Sequence, residues 1–212
     1  MKFERTKVFN LENAIRGMRN PYKSYDKSDS YTENGEFILG ANDLALAQRL
    51  IKAGNEHRKF LRQIFVTVDI TAPTYWLAEF DTYKIGVTRN STSFQHKGTS
   101  KEFTLDDFEI DEDVDALTRN TLIEVIDTMN LLREKYKETK NYGYFRQIRQ
   151  LLPQSYKYTS TVTMNYENIL NMVTQREHHR LKEWNTDFLR WAEDLPYGFE
   201  FFIVPRKEGE QR

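Results

Sequence analysis

The sequence predicts an α+β fold in a single domain spanning residues 1–212, and three observations carry that prediction. Two stretches alternate in the manner of strands, Val66-Thr67-Val68-Asp69-Ile70 and Tyr156 to Thr163. Around them apolar residues recur at helical spacing, most extensively at Leu122, Val125, Ile126, Met129, Leu132 and Tyr136. With 212 residues, among them 14 Phe, 12 Tyr and 3 Trp, the chain has the length and side-chain bulk for one substantial core.

Taken in order, residues 19–36 hold Asn20-Pro21, Asn34-Gly35 and a scatter of Ser, Tyr and Asp, which read as an irregular arm. Its Tyr22, Tyr25 and Tyr31 could cover a site, and a plain surface loop explains them as well. Leu44, Ala47, Leu50 and Ile51 predict a helix with Asn42 or Asp43 as N-cap and Gly54 as stop. Phe60 to Ile70 predicts a strand, and Pro73 the start of a helix whose apolar side holds Trp76, Leu77 and Phe80. Residues 86–103, rich in Thr, Ser and Gly, form a loop or strand carrying Ser93. The acidic run from Asp106 to Asp115 lacks the glycine-containing register of a calcium loop and reads as solvated. After the long helix, Tyr142 to Leu152 predicts another that stops at Pro153. Asn165 is placed to cap a last helix, and the tail at 205–212 is expected to fray.

Composition narrows the chemistry. There is no cysteine, so a disulfide framework, a thiolate metal site and a cysteine nucleophile are all excluded. A net charge of −1 with 30% charged residues argues against broad attraction to nucleic acid or anionic membrane. No apolar run approaches a membrane span, and Met1 is followed by a charged, polar segment, so a cytoplasmic setting is expected. His178 and His179 are consecutive and would diverge by about 100° on a helix, so no metal site is expected. The phosphate-loop, dinucleotide-loop and hydrolase-elbow glycine motifs do not occur.

The segment from Arg149 to Arg176 is the most informative. Ile169, Val173, Arg176 and Arg180 share one helical stripe, so a cation stands among apolar residues. The positions three and four residues away are Met172, Val173, His179 and Arg180, none of them acidic. A half-buried guanidinium is costly alone, so either a distant carboxylate or a ligand anion should meet it.

The run Arg149-Gln150-Leu151-Leu152-Pro153, followed by Asn165, Leu170, Asn171 and Arg176, resembles the C-terminal signature of the flavin-dependent thymidylate synthase (ThyX-like) family. Glu56-His57-x-x-Phe60, Pro73, Glu79-Phe80 and Asn90-Ser91-Thr92-Ser93 extend the resemblance in the same order, over roughly residues 38–184. The resemblance implies helices packed around an antiparallel sheet, a homotetramer with sites between subunits, a dUMP-like pyrimidine nucleotide as substrate, FAD as cofactor and methylenetetrahydrofolate as co-substrate. It further implies Glu79, Ser93, Gln95, Arg149 and Arg176 as nucleotide-binding residues, with Arg176 stabilising charge on the pyrimidine. His57, Lys84, Asn90, Asn165 and Asn171 fall at cofactor positions, and a structural role explains His57 equally well. The match departs from the family pattern where Thr82-Tyr83-Lys84, or Tyr83-Lys84-Ile85 with a shift of one residue, replaces Arg-His-Arg, where Ser91, Gln95 and His96 replace Glu, Arg and Tyr, and where Glu167 replaces an arginine. Glu167 would repel a cofactor diphosphate, which makes nucleotide binding the firmer inheritance. Absence of cysteine excludes the other thymidylate synthase chemistry, in which a thiolate adds to the pyrimidine ring.

Two other readings of the residues stay open at this point. Tyrosines and cations interleave between Arg133 and Tyr158 in a way that suits stacking and phosphate contacts to single-stranded nucleic acid, against which the near-neutral charge counts. A protein that kept the nucleotide site but lost catalysis would serve as a sensor.

Overall fold

The computed structural model describes residues 1–207. In chain order the elements are β1 (Lys2–Phe9), α1 (Leu11–Gly17), β2 (Tyr31–Glu33), β3 (Glu36–Ile38), α2 (Ala41–Lys52), β4 (Phe65–Pro73), α3 (Thr74–Phe80) and β5 (Thr88–Ser91). Then come α4 (Phe94–Lys97), α5 (Ala116–Thr139), α6 (Tyr142–Leu151), β6 (Lys157–Asn165), α7 (Tyr166–Arg176), α8 (Leu189–Glu193) and α9 (Val204–Lys207). The fold is α+β, as expected. Four strands pair in the order β1-β4-β6-β5, and β2 and β3 form a separate antiparallel hairpin.

Side-chain pairs fix the register of β4 against β6. Thr67 meets Thr163 at 3.1 Å, Thr161 donates to Asp69 at 2.6 Å, and Thr71 meets Thr159 at 2.8 Å. As one number rises the other falls, which is antiparallel pairing. The alternate residues Val66, Val68, Ile70 and Ala72 of β4, and Ser160, Val162 and Met164 of β6, are buried. Period-two alternation in the sequence therefore reports one wet face and one packed face.

The chain forms two compact units, neither of them a continuous stretch. One comprises Met1–Lys2, Ile70–Thr82 and Asn90–Ser160; the other comprises Phe3–Asp69, Tyr83–Arg89 and the chain from Thr161 onward. In the first, Ile126 and Met129 of α5 and Phe145 and Ile148 of α6 bury against Phe94, Phe103 and Phe108. Asp115 caps α5 by accepting from the Leu117 N–H at 2.8 Å, and Asn141 caps α6 by accepting from Gly143 at 2.9 Å. The acidic run is thus partly structural, since Asp107 also closes a capping box with Thr104 and takes Lys101 Nζ at 2.5 Å.

The second unit corrects several local expectations. Residues Lys59–Gln63 form a 3₁₀ turn, so the strand begins at Phe65 rather than Phe60. The arm is more ordered than its composition suggests. It has short turns at Asn20–Tyr22 and Tyr25–Lys27, then the β2–β3 hairpin, whose Asn34 and Gly35 both take positive φ as a two-residue turn requires. Neither Asn42 nor Asp43 caps α2. The cap position is Gly40, and the first-turn N–H groups of Asn42 and Asp43 donate to Asp29 of the arm at 2.9 and 3.1 Å. Asp43 is fully buried, accepting from Arg19 Nε at 2.5 Å and from the Ser28 and Ser30 hydroxyls at 2.6 Å each. Burial pushes its carboxyl up, but the serine hydrogen bonds and the Arg19 guanidinium outweigh that and hold it below the usual carboxylate range. Gly54, with φ of 101°, ends the helix as expected. At the other end of the chain Val204–Lys207 is helical, and residues 208–212 of the expected frayed tail lie outside the described residues.

Candidate active site

In the first unit the residues gather at the end of α6. Phe145 and Ile148 turn α6 toward the core, which leaves Arg149 on the exposed side just before Leu152-Pro153. Its guanidinium lies over the Phe94 ring, 4.8 Å from the centroid, and Nη1 donates to the Tyr158 hydroxyl at 3.1 Å. Phe94 is buried at the start of α4, so its exposed chain neighbours Ser93 and Gln95 are carried to the same place. Gln95 Nε2 in turn donates to the hydroxyl of Tyr142 at the start of α6. Among the described residues no ion pair includes Arg149. Tyr156, edge-on to both Phe94 and Tyr158, has its phenol pushed up to about 12, chiefly by burial and then by Asp107 and Tyr158, against the lowering effect of Arg149. The result is an exposed cation on an aromatic ring, hydrogen-bonded to a phenol, with its charge available to an anion. Glu79 is half-buried on α3 and Asn90 exposed on β5.

In the second unit Asn165 caps α7, as expected, through a reciprocal pair. Its side chain accepts from the Asn168 N–H, and the Asn168 side chain accepts from the Asn165 N–H, both at 3.0 Å. Asn168 Nδ2 also donates to the Ile85 carbonyl at 2.7 Å, which pins the loop before β5 to the helix start. Gly86 of that loop has φ of 76°, and a β-carbon there would lie 3.2 Å from Asn165 Nδ2, so the close approach suits glycine. Lys84 is exposed on the same loop.

Arg176 is half-buried, as the stripe predicts, but α7 ends with it. Arg180 lies beyond the helix and off the stripe, because the chain turns with the His179 N–H donating to the Arg176 carbonyl at 3.0 Å. Arg176 Nε donates to the Tyr83 hydroxyl at 2.8 Å, and its guanidinium lies over the rings of Trp184, at 4.9 Å, and Tyr83, at 5.5 Å. Sequence reasoning identified Arg176 and missed both rings. Trp184 sits in a π-helical turn, Glu183–Phe188, whose spacing no helical periodicity anticipates.

Glu167 is resolved differently from its sequence reading. Arg58 Nε donates to both carboxylate oxygens, at 3.0 and 3.2 Å, while Arg58 Nη2 reaches Asn171 Oδ1 at 3.2 Å and also Asn55. The negative charge is therefore neutralised by a cation 109 residues earlier, invisible to local spacing. His57, next to Arg58, is exposed, and its backbone N–H bonds Gly54 in the turn after α2.

The arrangement of strands and helices is the fold of flavin-dependent thymidylate synthase structures. Two solved structures of the ThyX enzyme from Helicobacter pylori, both described with FAD and dUMP, share it. One is 18% identical with a TM-score of 0.71, covering 96% of this chain and 98% of that one. The other is also 18% identical with a TM-score of 0.72, covering 98% and 100%. The chain belongs to the thymidylate synthase complementing protein family, whose model matches residues 10–191. No curated protein matches it.

Proposed function

We propose that this protein binds a dUMP-like pyrimidine deoxynucleotide and carries out flavin-dependent, thymidylate synthase-type one-carbon transfer. The observation that carries the reading is Arg149, an exposed cation without a carboxylate partner among the described residues, held over Phe94 between Ser93 and Gln95. Arg149 and Ser93 take the phosphate, with Gln95 and Glu79 as further nucleotide contacts. Arg176 takes the pyrimidine ring, where a fixed guanidinium stabilises negative charge as it develops on the base.

The second unit fits FAD. With Glu167 neutralised by Arg58, exposed Lys84 is left to meet a diphosphate, and the Asn165 and Asn171 side chains are assigned as amide contacts. His57 of the same unit and Asn90 of β5 are the remaining proposed cofactor contacts. When bound, the flavin supplies the reducing hydride and methylenetetrahydrofolate the one-carbon unit; the protein's part is placement and charge. The working unit is a homotetramer in the cytoplasm.

Titration calorimetry with dUMP and an absorbance scan for bound flavin test this reading. A yellow protein that binds dUMP in preference to ribonucleotides and turns it over supports it. Tight dUMP binding with neither flavin uptake nor turnover would move the assignment to a nucleotide sensor. Salt-dependent binding of single-stranded oligonucleotides in place of dUMP would move it to nucleic acid.

A further inference from the structure

We infer that Tyr83 is a positioning residue that sets the orientation of the Arg176 guanidinium, an inference that rests on the nucleotide reading above. An arginine side chain has many rotamers, and a planar cation is useful to a planar ligand in only a few of them. Here the plane is held at several points. The Tyr83 hydroxyl accepts from Nε at 2.8 Å, and the guanidinium carbon lies 5.5 Å from the Tyr83 ring centroid and 4.9 Å from that of Trp184.

The direction of the hydrogen bond is also fixed. A phenol has one proton to give, and the hydroxyl lies 3.1 Å from Gln175 Oε1, which can only accept. The Tyr83 proton points to Gln175, and its lone pairs are left for Arg176 Nε–H. Gln175 and Arg176 are consecutive on α7, so one helix end both polarises the hydroxyl and presents the cation it receives.

Tyr83 is itself anchored. Two residues on, the Ile85 carbonyl takes the Asn168 amide at 2.7 Å, which ties the loop to the opposite end of the same helix. Trp184 packs edge-on to Tyr83 at 6.1 Å and to Phe188 at 5.2 Å, within a turn whose tryptophan is fully buried. The clamp is thus built on α7 and its surroundings, with the loop closing over it.

The discriminating substitution is Tyr83→Phe, which keeps the ring and removes the hydroxyl, and with it both the acceptor for Arg176 Nε and the donor to Gln175. Two readouts are taken on the full chain: the ¹⁵N resonance and solvent exchange of the Arg176 Nε–H, and the Kd for dUMP by calorimetry. The expected result is a slowly exchanging Nε–H in the wild type that is lost in Y83F, an increase of about tenfold in Kd, and an unchanged melting temperature. Y83F that binds dUMP as tightly as the wild type overturns the inference. So does weakened binding matched by a fall in melting temperature, which would make Tyr83 a structural residue only. Failure of the wild-type chain to bind dUMP, with the protected Nε–H still present, sinks the nucleotide reading, and Tyr83's role with it, while leaving the clamp intact as a structural feature.

Discussion

Arg19 and Arg149 are the same side chain used in opposite ways. Arg19 is buried in the arm, locked to a carboxylate that two serines also serve; Arg149 stands exposed at the end of α6, on an aromatic ring and a phenol, with no acid of its own among the described residues. A cation paired inside the fold stabilises the fold and has little left to offer a ligand. A cation seated on groups that orient it without neutralising it keeps its charge for something else. The partner, more than the arginine, separates structure from function. Substitution should therefore split along the same line.

Asp43→Ala should give the largest stability loss. It leaves Arg19 charged, buried and unpaired, and breaking a buried pair costs about 3–5 kcal/mol; urea denaturation is the measurement. The same carboxyl predicts an acid limb. Its folded pKa lies below the ordinary carboxylate value of the unfolded chain, so its stabilisation is complete above that ordinary value and disappears as pH falls through the lower folded one. Asp43→Asn should remove that limb from a plot of stability against pH, while dUMP affinity at neutral pH stays as it was. If D43A weakens nucleotide binding more than it lowers stability, the arm belongs to the site and the contrast fails.

Arg149→Ala should do the reverse. Losing charge-assisted contacts to a phosphate costs about 1.5–3 kcal/mol, or roughly ten- to a hundredfold in Kd. Melting should barely move, because the side chain is exposed and its lost partners are a ring face and a phenol. Arg176→Ala should also weaken binding, with some loss of melting temperature because Tyr83 loses its hydrogen-bond donor and Trp184 the cation over its ring. A melting loss in R149A larger than that in R176A would mean that exposure is a poor guide to which arginine faces a ligand.

Several local patterns were legible because their cause was local. The α5 stripe, the β4 and β6 alternation, the Asn165 cap and the Gly54 stop each depend on neighbours within a turn or two, and each appears where the spacing puts it. Interactions that close over long separations were not. Asp29 caps α2 from the arm, Arg58 answers Glu167, and Trp184 reaches Arg176 from a π-helical turn whose repeat does not follow 3.6 residues. The Asn34-Gly35 turn is a missed local signal. The strands it joins are only three residues each, Tyr31–Glu33 and Glu36–Ile38, too short for the alternation that usually accompanies such a turn to show. Site residues were named by type and spacing, whereas the groups that orient them came from elsewhere in the chain.

Arg58 and Glu167 give the smallest and most diagnostic effect, because they stand between the two extremes. The pair is mostly buried, yet it borders Asn171 and the exposed His57. Arg58→Ala leaves a carboxylate without its cation and should cost about 1–2 kcal/mol, less than a fully buried pair because some solvent screening remains. Arg58→Ala combined with Glu167→Gln removes both charges, so most of that loss should return in a denaturation experiment. Flavin affinity then decides which kind of arginine Arg58 is. If the double variant recovers both stability and flavin uptake, Arg58 served only to neutralise Glu167, as Arg19 serves Asp43. If stability returns and flavin uptake does not, Arg58 also meets the cofactor directly, and one guanidinium carries both duties that Arg19 and Arg149 divide between them.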